Sequence, residues 1–210
     1  MNYINVLVVV CVLLVAWIIW SAFVDKNIET PKYSVIENKR KYEIRKYETH
    51  VVAEVSVDGN FSDGTSKAFL KLARYIFGGN STKEKIAMTA PVLTAQKNEK
   101  ITMTTPVSTS QNNDELTMSF MMPSKYTLES LPIPDSDEIK FREIPSSTYA
   151  VKRFTGWVSD SVRSKQTKKL LNDLSIDGVE VSGEPVLLQY DRPFKFPFLR
   201  RNEIKVGVVV

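Results

Sequence analysis

Two stretches of the chain, 97 residues apart, carry the same order of side chains: Arg45 is repeated at Arg142 and Gly59 at Gly156. In the first stretch, Tyr42 to Tyr47 and Val51 to Val57 are rich in β-branched and aromatic residues, and Val51, Ala53, Val55 and Val57 share one side of an extended chain. Gly59 ends that run. Ser62 and Asp63 are candidate caps for a helix in which Phe69, Leu72, Ala73 and Ile76 recur at helical spacing, and Gly78-Gly79-Asn80 stops it. In the second stretch, Ile139 to Arg142 and Tyr149 to Phe154 lead to Gly156 and a helix from about Ser159 through Leu170, Leu171 and Leu174. Extended segments follow each helix, Ile86 to Leu93 and Leu116 to Met122 in the first unit, Val186 to Tyr190 and Glu203 to Val209 in the second. A chain that repeats one unit is confined to folds in which two copies pack side by side. The expected fold class is α+β, with duplicated β-α-β-β units forming a distorted antiparallel β-barrel or sheet with two helices, preceded by one transmembrane helix.

That preceding helix comes from Ile4 to Val24, a run without charge whose strongly polar residues are Asn5 and Ser21. Its length suits a hydrocarbon core about 30 Å thick, and Trp17 and Trp20 sit where an aromatic belt would lie. No basic residue precedes the run, and Trp20-Ser21-Ala22 is a poor cleavage site, so it reads as an uncleaved anchor. Cys11 follows Val8-Val9-Val10 and lacks the small residue that a lipoprotein signal needs before its cysteine. The expected division is an anchor over 1–25, a polar linker containing Pro31 over 26–38 and a folded domain over 39–210. Lys26, Lys32, Lys39, Arg40 and Lys41 all follow the helix, which by the positive-inside tendency places the domain on the cytoplasmic face.

Composition narrows the chemistry. One cysteine excludes an internal disulfide framework or thiolate metal site, and the single histidine, His50, excludes multi-histidine metal sites. The 28 Lys+Arg and 24 Asp+Glu are mixed along the chain, which gives no argument for nucleic acid. The period of two puts His50 with Val52, Glu54, Ser56 and Asp58 on a mostly polar face, so His50 reads as a surface residue rather than a ligand. A smaller echo relates Ile86-Ala87-Met88-Thr89-Ala90-Pro91-Val92 to Ile101-Thr102-Met103-Thr104-Thr105-Pro106-Val107, and a further step of 15 reaches Met118. These methionines suit either core filling or a pocket lining.

Three stretches resemble the SOUL haem-binding protein family: Lys85-Ile86-Ala87-Met88-Thr89-Ala90-Pro91-Val92, the Phe69, Leu72, Tyr75-Ile76 and Gly79-Asn80 pattern before it, and Arg200-Arg201-Asn202-Glu203-Ile204. The match runs from about Tyr33 to Val209. The resemblance implies a barrel-like domain of two β-α-β-β repeats that binds haem and other tetrapyrroles, without a covalent link, in a shallow apolar groove. It places that groove against the first helix of the domain, on Phe69, Leu72, Ala73 and Ile76, with Arg74 as partner for a propionate. A macrocycle does want apolar contact on its faces and a guanidinium at its carboxylates. The same helical spacing also serves ordinary packing on a sheet.

The function this implies is haem or tetrapyrrole binding by a membrane-tethered domain, a carrier, buffer or sensor without catalysis. The alternatives are a small-effector or protein-interaction module and a tetrapyrrole-modifying enzyme, for which no paired carboxylates, metal cluster or nucleophile with a base is visible. The expected partners are the tetrapyrrole and, through the N-terminal helix, a membrane, with no nucleic acid. The stretch Tyr190 to Arg201 interleaves aromatic and basic residues in a Pro-rich loop that could border the groove, touch anionic lipid or simply pack.

Overall fold

The computed structural model describes residues 3–23, 28–97, 115–192 and 194–209. A first helix, α1 (Tyr3–Phe23), precedes the domain. The first unit comprises β2 (Glu43–Tyr47), β3 (His50–Asp58), α2 (Phe61–Ile76), β4 (Val92–Lys97) and β5 (Glu115–Met121), with β1 (Tyr33–Asn38) ahead of it. The second unit has β6 (Lys140–Ile144), β7 (Ser147–Phe154), α3 (Asp160–Ile176), β8 (Val181–Gln189) and β9 (Asn202–Val208).

The nine strands form one antiparallel sheet in the order β1-β2-β7-β9-β8-β4-β5-β3-β6. Apart from β1, that order reads the same from either end once each strand is replaced by its counterpart in the other unit. The register repeats too: Ile44 lies opposite Ala150, and Ala53 lies opposite Phe141. The duplication expected from the sequence is therefore a pseudo-twofold fold, in which β2 and β6 are exchanged onto the partner unit and β4 meets β8 at the axis. Both helices pack on one face. There Ala53, Val55, Leu72, Ile76, Met118, Leu170, Leu174, Ile204 and Val206 form a single apolar core. A fully buried side chain of this kind contributes about 1.5–3 kcal/mol.

The opposite face curls inward. Lys205 on β9 lies near enough to Arg142 on β6 and to His50 on β3 for their charges to oppose one another, although these strands are far apart in the sheet order. A flat sheet would keep them apart.

Four local readings differ from expectation. The 26–38 linker contains β1, an edge strand exposed along its whole length, whose Tyr33 ring lies 5.1 Å from that of Tyr47. The cap of α2 is Asn60, two residues earlier than expected, because its side chain accepts from the Asp63 amide at 3.0 Å. Strand β4 begins only at Val92, after a cis Ala90–Pro91 bond, since the Ile86 and Ala90 amides donate to Ile76 and Glu29 carbonyls instead of a ladder. Finally, the face carrying His50 and Val52 is the inside of the curl, and Val52 is buried there. Residues 101–107, the second half of the short echo, lie outside the described residues.

Candidate functional site

Helix α2 has two stripes. Alternation at 3.6 residues per turn sends Ala68, Leu72, Tyr75 and Ile76 into the core. The outer stripe is Leu70, Ala73, Arg74 and Phe77, and it is unlike an ordinary wet face: Leu70 is 68% and Phe77 62% exposed. Ala73, 8% exposed, lies at the margin where this stripe meets the core. Arg74 is exposed and makes no ion pair or hydrogen bond through its side chain among the described residues. Its stem rests on Gly79, where a Cβ would stand 2.7 Å from the Arg74 carbonyl oxygen and 3.0 Å from its Cγ. Any larger residue at 79 would push the end of the helix and the guanidinium apart.

The segment 132–138 borders the stripe on one side. Lys71 pairs with Glu138 at 2.7 Å, the Tyr75 hydroxyl donates to the Pro132 carbonyl at 3.0 Å, and the Ser81 amide donates to the Ile133 carbonyl at 2.8 Å. Exposed Ile133 extends the apolar surface near the end of α2. The result is a shallow apolar strip with one unpaired cation.

The five residues expected at the site do not form one surface. Leu72 and Ile76 are wholly in the core, and Phe69 is half-buried with its ring 5.5 Å from Phe120. Ala73 lies nearly covered at the margin, and Arg74 is open. Leu70 and Phe77, the exposed apolar residues of the outer stripe, were not among the five, although counting on from Leu70 at helical spacing reaches Arg74 and Phe77. The signal was two large apolar residues outside the core stripe.

The inner face of the sheet holds a second concentration of charge. Arg45 donates to Glu203 at 2.9 Å and to the Tyr47 hydroxyl at 3.3 Å, while Tyr190 and Arg201 donate to the same carboxylate at 2.9 Å each. Burial pulls Arg45 down, but Glu203, Tyr47 and Glu43 outweigh it and hold the guanidinium above its usual range. Burial, reinforced by Glu203, pushes the Tyr190 hydroxyl well up. Lys205 is 4% exposed, lies over the Tyr149 ring at 4.4 Å, and makes no hydrogen bond or ion pair among the described residues. Burial lowers it to about 8.

His50 lies at the rim of this interior, in a pocket of about 250 Å³ with Met121, Met122 and Tyr126. Its Nδ1 is 2.8 Å from the Glu48 carbonyl, and burial, assisted by Lys205, lowers its pKa. The ring belongs to the face of β3 opposite α2 and cannot reach a ligand lying on the outer stripe. Met118 fills the core, Met121 and Met122 are buried beside His50, and Met88 is exposed, so the methionines serve both of their expected roles. No group of three or more His, Cys, Asp or Glu gathers as a metal site among the described residues.

Taken together, the chain is a pseudo-twofold curled sheet with two outer helices, one of which bears an apolar strip. The sequence pattern of the SOUL heme-binding protein family matches residues 28–207, and the chain belongs to that family. It is similar to Heme-binding protein 1 of Xenopus tropicalis, with 26% identity over 164 residues that cover 78% of this chain and 81% of that one. Its fold is shared with the EcmrR C-terminal domain, at a TM-score of 0.57 and 13% identity, over 86% of this chain and 99% of that one. An uncharacterized conserved protein from Listeria innocua matches at a TM-score of 0.58 and 15% identity, over 81% and 93% of the two chains.

Proposed function

We propose that the domain binds haem or a related tetrapyrrole non-covalently on the outer stripe of α2, as a carrier, buffer or sensor tethered to a membrane. The observation that carries this reading is the strip itself: exposed Leu70 and Phe77, with Ala73 at their margin, and the unpaired guanidinium of Arg74. Family membership and the name of the Xenopus relative support it. One face of a macrocycle would cover the leucine and phenylalanine, and a propionate would meet Arg74. Of the residues expected from the family, Ala73 and Arg74 keep a direct role, Phe69 borders the strip, and Leu72 and Ile76 support it from the core. No iron ligand and no catalytic step enter this reading.

The tether is α1, whose apolar stretch Tyr3–Ser21 is long enough to cross a bilayer and scarcely buried by the rest of the chain. The basic residues after it favour the cytoplasmic side. We place the anchor at 1–25, and β1 moves the start of the folded domain back from 39 to Tyr33.

The test is titration of the full chain with haem and with metal-free protoporphyrin, in wild type and in Leu70→Ser/Phe77→Ser. Wild type should bind both within about threefold, and the double variant should weaken both by tenfold or more, about 1.4 kcal/mol. Unchanged binding in the double variant would move the ligand elsewhere, and loss of binding on removing iron would demand an axial ligand.

A further inference from the structure

The loop between β8 and β9 clasps α1. The Trp17 indole donates to the Phe194 carbonyl at 2.9 Å, its ring meets that of Phe196 at 5.0 Å edge-on, and the Phe196 amide donates to the Ser21 hydroxyl at 3.1 Å. The chain then makes a 3₁₀ turn, Pro197–Leu199. The loop's large side chains point away from the protein: Phe194 is 71% and Phe198 77% exposed, and Leu199 and Trp157 are exposed beside them. A guanidinium, that of Arg200, stacks 3.7 Å over the Trp157 ring. Of the basic residues of this stretch, Arg201 is bound to interior Glu203, Lys195 to Asp191 and Arg200 is buried against Trp157, while Arg192 is exposed at the edge of the loop.

Three exposed apolar side chains on one short loop, with Trp157 from the β7–α3 connection beside them, would be an aggregation liability in water, and they cluster at the end of the one helix among the described residues that is long and apolar enough for a bilayer. Depth settles what covers them. At about 1.5 Å per residue, the 21 residues of α1 are about as long as the hydrocarbon core is thick. Trp17 lies six residues before Phe23, the end of the helix, which is about 9 Å along the axis. A loop fastened at the level of Trp17 therefore cannot stay clear of the leaflet through which α1 emerges.

We infer that residues 194–199, with Trp157, form an interfacial foot, inserted at the boundary between headgroups and acyl chains of an anionic bilayer. Aromatic rings favour that boundary, which is the main support for the foot, and exposed Arg192 at its edge favours anionic lipid. The foot holds the domain at a set tilt and height over the membrane instead of leaving it to swing on a linker. This rests on reading α1 as a membrane span.

Cys11 is the only cysteine, so a nitroxide there reports α1 itself. In a Cys11→Ser background, labels at Phe198→Cys and at the exposed control Ile133→Cys report the foot and the body of the domain. The full chain is reconstituted in vesicles of phosphatidylcholine with one-fifth phosphatidylserine, and relaxation by oxygen is compared with relaxation by a water-soluble nickel chelate. The expected result is lipid-side access at Cys11 and position 198, and aqueous access at 133. A lipid-buried Cys11 with position 198 as aqueous as 133 would overturn the foot and leave the span standing. An aqueous Cys11 would overturn the span and the foot with it.

Discussion

The two units share topology and register but use them differently. Arg45 and Arg142 occupy equivalent places on β2 and β6, opposite Tyr149 and Val52 respectively. Arg45 is 4% exposed and bound to Glu203, whereas Arg142 is 58% exposed and bound to Glu54. The difference is β1, which has no counterpart in the second unit and lays Tyr33 over Arg45 with the guanidinium 4.4 Å from the ring centre. The helices diverge likewise. Aligned by their fully buried core residues, Leu72 and Ile76 on α2 with Leu170 and Leu174 on α3, the strip of Leu70, Ala73, Arg74 and Phe77 corresponds to Lys168, Leu171, Asn172 and Ser175, and Asp173, the residue after Asn172, turns to the sheet. Asp173 is held below its usual range because Lys41 and Lys152, at 2.8 and 2.9 Å, outweigh its burial. Duplication supplies a scaffold twice, and each surface is then free to specialise.

The largest expected break in this comparison is in stability. Arg45→Met strands part of the Glu203 charge in the interior and should cost about 3 kcal/mol or more. Arg142→Met removes a surface pair and should cost less than about 1 kcal/mol. Guanidinium unfolding of the detergent-solubilised chain checks this, and equal costs would mean that β1 does not set the burial of Arg45.

A smaller effect separates the helices. Arg74→Glu should weaken haem binding at least tenfold, about 1.4 kcal/mol, while Asn172→Glu at the equivalent exposed place on α3 should change it less than about twofold, provided that both variants keep their far-ultraviolet circular dichroism. Equal losses would place the ligand off α2.

The smallest effect concerns Lys205, whose equivalent in the first unit is the neutral Ser119, since Phe120 and Val206 face Ala53 and Ala150. Lys205 is held at about 8 against an ordinary 10.5, with burial the chief cause. Below about 8 the ammonium is charged in both the folded and unfolded chain, and its burial weighs fully against the fold. As pH rises further the folded chain gives up its proton first, so stability should increase by on the order of 1 kcal/mol from pH 8 to about 10. Lys205→Met should flatten that rise. A variant that keeps the wild-type slope would assign it to another group.

Much of this was legible in the sequence, for particular reasons. The alternation Val51, Ala53, Val55, Val57 marked a core face, and the spacing of Arg45 with Arg142 marked the duplication. Strand β1 escaped because an edge strand with no buried side has no alternation to see. The interior polar face escaped because alternation distinguishes two sides of a strand without revealing that the sheet curls one of them inward. His50 and Glu54 therefore looked like surface, as did the strand carrying Glu203 and Lys205, whose partners come from distant strands. At α2 apolar periodicity finds what packs, which is why Leu72 and Ile76 fall in the core, and it is blind to the neighbouring stripe where exposed Leu70 and Phe77 stand.

Strand β1 also decides how tension on the chain ahead of it would reach the domain. A pull arriving along the chain from Ile28 meets first the clips at Glu29, whose carbonyl and carboxylate bind the Ala90 and Ser124 amides, and then the Lys32 carbonyl bound by the Glu48 amide. Beyond them lies the β1–β2 ladder, loaded from Tyr33, the end nearest the pull. An antiparallel edge pulled that way unzips rung by rung instead of shearing all at once. Its first rung is Tyr33 against Tyr47, and losing it uncovers Arg45 to water. Tension carried along the chain from Ile28 is thus placed in series with the most heavily charged part of the interior, and mechanical load would hydrate that ion pair before it disturbed the core beneath α2.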